Sequence, residues 1–344
     1  MRAVQLVRWQ AEPELREIEM PEPAPGEVLV KILGAGLCHS DIHVMEFPEG
    51  TVPWTLPFTL GHENAGVVAA LGDGVTGFKI NDPVLIYGPW GCGSCQQCAR
   101  GAENLCLRAA GLGGRGGGLG FDGGLADYLV VPSPRLLVPI GDLDPAHAAP
   151  LTDAALSPYS AIKRELARLT PGTAVVVIGV GGLGHVAVQI LQALTAARII
   201  AIDLREGARR RALTAGAHVA LDAAGLEPGD VRAETGSEGA AVVFDFVGNQ
   251  QTVELAAAVM STGGHVSVVG VGGGSFPLAF GKVPLGASAS RPTWGSLPEL
   301  HEVVALAQAG AIEIEVEYLR LEDAIEGYRR LRDGEIAGRA VVVP

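Results

Sequence analysis

The chain has 344 residues, 48% of them hydrophobic and 18% charged, with a formal net charge of −13. That length supports two domains, each with a core of its own. The acidity is spread without a dominant block, which argues against nucleic acid or an anionic membrane surface as a partner.

The opening MRAVQLVRWQ runs straight into a polar, proline-rich stretch and lacks a signal-peptide pattern. No uninterrupted apolar run reaches transmembrane length. A cytoplasmic protein is expected, in which thiols stay reduced and disulfides are the weaker account of the five cysteines.

The first part of the chain reads as short strands broken by Gly and Pro, over 28–33, 65–71, 83–87 and 126–131. Such spacing suits a small barrel or a distorted sheet. Cys38 stands alone here in GLCHSDIH, upstream of the GHE of Gly61, His62 and Glu63. The other thiols, Cys92, Cys95, Cys98 and Cys106, follow the spacing C-x2-C-x2-C-x7-C. Reduced thiols so placed converge on one tetrahedral ion. An iron–sulfur cluster competes, but ferredoxin-type runs continue with three residues and Cys-Pro. Here seven residues intervene and Leu107 follows Cys106, which favours zinc. A closed four-thiolate site does no chemistry; it staples a lobe, about 88–110, that has little core. The tract 112–124 is very glycine-rich and reads as a mobile surface loop.

The character changes after about Leu151. The apolar run 173–179 predicts a strand buried on both faces. Leu183, Val186, Ala187, Ile190, Leu191 and Leu194 share one face of a helix over 183–196. Further strands are expected at 198–203, 241–247 and 265–271, with a helix over 252–260. The alternation predicts a doubly wound parallel sheet. From about 286 the pattern is mixed again and ends in a strand at 339–343. The expected organisation is 1–151 plus 286–344 as one domain, with 152–285 inserted as the nucleotide domain.

Gly179, Gly181 and Gly184 form GVGGLG between the buried strand and the amphipathic helix. The first glycine permits the tight turn, the second lets a pyrophosphate approach and the third lets the helix pack. Asp203 ends the next strand, where an acid holds ribose hydroxyls and repels a 2′-phosphate, so NAD is expected over NADP. Arg205 and Arg209 nearby read as a solvated helix start. Asp153, in PLTDAAL, reads by itself as a helix cap, Cys38 as a small buried group and His62 as a core histidine. Spacing alone does not join these three.

Taken together, GLCHSD (36–41), GHENAG (61–66), the four-cysteine lobe, LTDAALSPY (151–159), IGVGGLGHV (178–186) and FDFVG (244–248) resemble the medium-chain zinc-dependent alcohol dehydrogenases over essentially the whole chain. YGPWGCG (87–93), VPIGDLDP (138–145) and the final GRAVVVP are similar to bacterial secondary alcohol dehydrogenases of the Rhodococcus type. The resemblance implies an α/β fold, a GroES-like β-rich catalytic domain joined to a Rossmann domain. It implies two zinc ions per chain, one in the lobe and one catalytic, held by Cys38, His62 and Asp153. Glu63 would sit beside the catalytic ion and visit it during exchange, and Asp41 would fix the His62 tautomer. Ser40 would take the alcohol proton and pass it toward His43. NAD would contact His39, Arg339, Val247 and the Gly179, Gly181, Gly182, Leu183 and Gly184 loop, with Asp203 on the ribose. Trp54, Leu119 and Trp294 would wall a pocket suited to medium-chain or aryl secondary alcohols and ketones. By the same resemblance the protein would be a homo-oligomer, a tetramer. A zinc-free quinone or enoyl reductase, a zinc-dependent primary alcohol or polyol dehydrogenase, and a non-catalytic NAD-binding scaffold are the competing readings.

Overall fold

Strand Val28–Gly36 organises the first half of the chain, and its sequence VLVKILGAG explains how. Its apolar first part is buried in the sheet, and its glycines let other segments come close. A Cβ on Gly34 would lie 2.7 Å from the Cα of Ala146, so the expected 28–33 strand continues past Leu33 to let helix Pro145–Ala148 pack against it. The strand pairs antiparallel with Glu63–Leu71, Tyr128–Val131 and Arg339–Val343. With Pro83–Ile86, Leu137–Pro139 and Val316–Arg320 these make a seven-stranded sheet, kinked by register shifts between Leu29 and Val30 and between Ile32 and Gly34. Gly36 lies opposite Glu63 on one side and Val341 on the other, so Cys38, Glu63 and Arg339 are brought to one end of the sheet.

The structure, a computed structural model, describes residues 1–236 and 238–344. The chain divides into two compact units. One comprises Met1–Asp153, Ser296–Gln308 and Ile314–Pro344; the other comprises Ala154–Gly295 and Ala309–Glu313.

The glycine tract 112–124 is not the surface loop its composition suggests. Gly116, Gly117, Gly118, Leu119, Gly123 and Gly124 are buried. A Cβ on Gly118 or Gly123 would overlap the backbone of Gly61, and one on Gly124 would overlap the Asn64 side chain. The glycines are there because two stretches of backbone touch.

The second unit holds six parallel strands: Ala174–Ile178, Arg198–Asp203, Val219–Asp222, Ala240–Asp245, Met260–Val268 and Ser288–Ser290. Taken in chain order they are arranged 3-2-1-4-5-6, the doubly wound order with its switch point between the first and fourth. Val175, Val176 and Val177 are fully buried, which explains why that strand reads as an unbroken apolar run. Helix Gly184–Leu194 follows it, and helix Gln250–Val259 is capped by Asn249, whose side chain accepts from the Thr252 N–H at 2.9 Å. Strand Ser288–Ser290 lies beyond the break expected at 286 yet belongs to this sheet. Its Ser-Ala-Ser sequence has no apolar signature. It is held by parallel pairing to Met260–Val268 and by His265, whose ring nitrogens lie 2.8 Å from the Ser288 and Ser290 hydroxyls. Among the described residues no helix is long and apolar enough to cross a membrane.

Candidate metal and nucleotide sites

Cys38 is the N-cap of the short helix His39–Met45. Three residues on, Asp41 turns back so that its Oδ2 accepts from the Cys38 N–H at 3.0 Å. This local cap fixes the thiol and leaves the other Asp41 oxygen for His62, whose Nδ1 lies 2.7 Å away. A carboxylate only accepts, so Nδ1 carries the proton and the Nε2 lone pair faces the opposite way. There it meets Asp153 Oδ2 at 3.6 Å, which in turn lies 3.7 Å from Cys38 Sγ. Asp153 ends the short turn Ala149–Thr152 that leads out of the first unit.

The donors of Cys38, His62, Glu63 and Asp153 all lie within 4.8 Å of one another, and every one is buried. Ligands 2.0–2.3 Å from a tetrahedral ion stand about 3.3–3.8 Å apart, so the Cys38, His62 and Asp153 spacings fit a zinc-sized ion. Burial alone would favour a neutral His62, but Asp41, with Asp153 and Cys38, outweighs it and holds the ring well above its usual pKa. These neighbours make the site favour positive charge.

Glu63 occupies a slot left by Gly36, where a Cβ would overlap its carboxylate. Arg339 grips it through Nε, 2.9 Å from Oε2, and through Nη2 on Oε1. Burial raises the Glu63 carboxyl to about 7 against the pull of Arg339. Arg339, expected at a diphosphate, is therefore 3% exposed and already committed to Glu63, with Asp153 Oδ2 3.8 Å away. The Ser40 hydroxyl lies 3.6 Å from Cys38 Sγ, and His43 is one turn further along the same helix. The His43 Nδ1 is buried with no hydrogen-bond partner. His39, on the first turn, is exposed.

Trp54 is half-buried, its ring 6.1 Å from Phe58 edge-on and 6.4 Å from Phe47. It lies over Gly120, beside the buried Leu119. Trp294 belongs to the other unit, and its φ of 48° is left-handed backbone, unusual for a bulky residue.

The four remaining cysteines are unbridged and close around a point. Their sulfurs are 3.5 Å (Cys95–Cys98) and 4.0 Å (Cys92–Cys98, Cys95–Cys106) apart, close to the edge of a tetrahedral thiolate site. Backbone N–H groups of Cys92, Cys95 and Arg108 point at the sulfurs, at 3.3–3.4 Å. The backbone N–H groups of Ser94 and Cys95 pull the Cys92 thiol down to about 5, while burial among the other sulfurs pushes Cys98 up to about 12. Four thiols so crowded need a cation to ionise together.

In the second unit the glycine loop has the geometry its motif requires. Gly179 has φ +84° and faces Val247, Gly184 packs its α-carbon against the Gly179 carbonyl, and a Cβ on Gly181 would meet nothing nearer than Arg205 at 3.5 Å. Gly182 and Leu183 complete the turn into the helix, and Val247 is 37% exposed just beyond the fourth strand. Asp203 Oδ2 accepts from the Val180 N–H at 2.8 Å, and Oδ1 accepts from Arg205 N at 2.9 Å. Burial would raise this carboxyl, but the Arg205 side chain and these N–H groups hold it below its usual value. Arg205 is thus no mere solvated residue; its guanidinium lies 3.2 Å from the acid.

Sequence reasoning missed Asn64, the packing of the glycine tract, the Arg339–Glu63 pair and Tyr328, described below.

Residues 24–142 match the alcohol dehydrogenase GroES-like domain and residues 182–309 the zinc-binding dehydrogenase domain. The chain is 34% identical to the NAD-dependent alcohol dehydrogenase of Sulfurisphaera tokodaii, over the whole of both. It is 32% identical to the D-arabinose 1-dehydrogenase (NADP(+)) of Saccharolobus solfataricus, over 98% of this chain and 97% of that one. The crystal structure of the Aeropyrum pernix alcohol dehydrogenase superposes with a TM-score of 0.92 at 32% identity, covering 100% of both. With its GroES-like unit, its parallel nucleotide-binding sheet and two buried donor clusters, this chain belongs to the medium-chain zinc-type alcohol dehydrogenases.

Proposed function

We propose that the protein reversibly oxidises medium-chain or aryl-substituted secondary alcohols to ketones, using NAD and a zinc ion held by Cys38, His62 and Asp153. The observation that carries this reading is the buried three-donor cluster with the Ser40 hydroxyl beside it. When bound, zinc supplies a Lewis acid that acidifies an alcohol oxygen, and NAD supplies the hydride acceptor. Asp41 holds His62 in the tautomer that leaves Nε2 free. Ser40 receives the alcohol proton and passes it toward His43, whose buried Nδ1 is available for it. Arg339 keeps Glu63 paired, so the cluster offers three donors and leaves a fourth position to substrate.

Gly181 lets the diphosphate approach the backbone. Asp203 takes the ribose. The cysteine lobe holds a second, structural zinc. Trp54 and Leu119 favour bulky apolar substituents over ethanol.

Cys38→Ser tests the assignment. Loss of the cluster removes several kcal/mol of charge stabilisation, so turnover should fall roughly a thousandfold or more, with NAD binding nearly intact. Retained turnover overturns it. The sugar-oxidising relative favours a second reading, a polyol substrate with NADP. A panel of primary, secondary and sugar alcohols, each assayed with both cofactors, separates the two. A homotetramer is part of the proposal and is checked by light scattering.

A further inference from the structure

Helix Ala324–Arg332 buries Ala324, Gly327, Tyr328 and Leu331 along one stripe. Gly327 lets it come close: a Cβ there would lie 2.7 Å from Leu37 Cδ1, the residue before Cys38. Tyr328 is consequently 2% exposed. Its hydroxyl completes no hydrogen bond among the described residues, yet the groups that act on it are those of the donor cluster, Asp41 foremost, then Cys38 and Glu63. A phenylalanine would fill the same volume without burying a polar atom. An unpaired buried hydroxyl costs about 1–3 kcal/mol. Burial keeps the phenol protonated, hence a donor, and Asp41 is a carboxylate with room for a third partner after His62 Nδ1 and Cys38 N–H.

We propose that Tyr328 is a positioning residue of the metal centre, donating to Asp41 and so fixing the His62 ring that Asp41 orients. The proposal rests on His62 being a zinc ligand. Groups that orient a metal-binding histidine typically change metal affinity by about 10–100-fold when removed. Nothing in the sequence marks Tyr328 for this role, because it lies 266 residues from His62 in the chain.

The test uses the full-length zinc-loaded enzyme. Zinc release to a chelator is followed in wild type, Tyr328→Phe, Asp41→Asn and the double variant. Cys38→Ser identifies which zinc is which, because it should keep the lobe ion only. The expected result is roughly tenfold or faster loss of the catalytic-site zinc in Tyr328→Phe, with lobe zinc unchanged. The effect should vanish in the Asp41→Asn background. Cobalt in place of zinc gives a second readout, and its ligand-field bands should shift in Tyr328→Phe. Release and bands equal to wild type overturn the inference, and an equal effect with and without Asp41 overturns the route through it. A wild type holding no zinc that Cys38→Ser removes overturns the ligand assignment, and this inference with it.

Discussion

Arg339 puts a full positive charge in the interior of the first unit, 3% exposed, against an acid that is 0% exposed. Removing one partner of such a pair strands the other, which typically costs about 3–5 kcal/mol. Arg339→Met should therefore destabilise the protein by about that much in urea unfolding, and Arg339→Lys, which keeps charge but loses the fork, by less. Asp203 allows a prediction with a pH sign. Its folded carboxyl lies below the usual 3.8, so it contributes stability above that value and loses it as pH falls through the depressed one. Asp203→Asn should thus be less stable than wild type at neutral pH, the gap closing below about pH 4 in urea midpoints. At this scale the sequence was legible where chemistry is local. Cys38, Asp41 and His43 ride one helix start, and GVGGLG needs only its own strand and helix. Glu63 with Arg339 was not legible as a pair, because sheet register joins them across 276 residues.

Four strands and two helices of the nucleotide unit were readable because strands buried on both faces leave unbroken apolar runs, which the half-buried edge strand Val219–Asp222 does not. The edge strand Ser288–Ser290 was not, since its holding forces are backbone pairing and His265. The tract 112–124 shows the same gap from the other side: glycine content signals freedom or contact, and only the fold says which. Gly118→Ala should cost about 1–3 kcal/mol from overpacking against Gly61, more with its φ of +79°. Thermal unfolding measures the loss, and zinc analysis should show weakened retention at His62.

Across the whole molecule the two donor clusters predict two zinc ions per chain by elemental analysis. Chelation should strip them with different consequences. Loss from the Cys92, Cys95, Cys98 and Cys106 lobe should lower the unfolding temperature before it lowers turnover. Loss from the other site should abolish turnover first. NADH should support faster ketone reduction than NADPH, and the reverse would refute the role given to Asp203. The two-unit organisation was visible as a change of pattern near Leu151, but its second crossing, at Gly295 to Ser296, carries no change of composition to announce it.

The buried glycines behind Gly61 carry no donor atom, yet they set where the His62 backbone runs. A saturation screen scored by metal content or turnover would therefore return positions 118, 123 and 124 alongside the proposed ligands. Anyone mapping the centre from such a screen would draw it too large, and anyone redesigning it by its ligands alone would draw it too small.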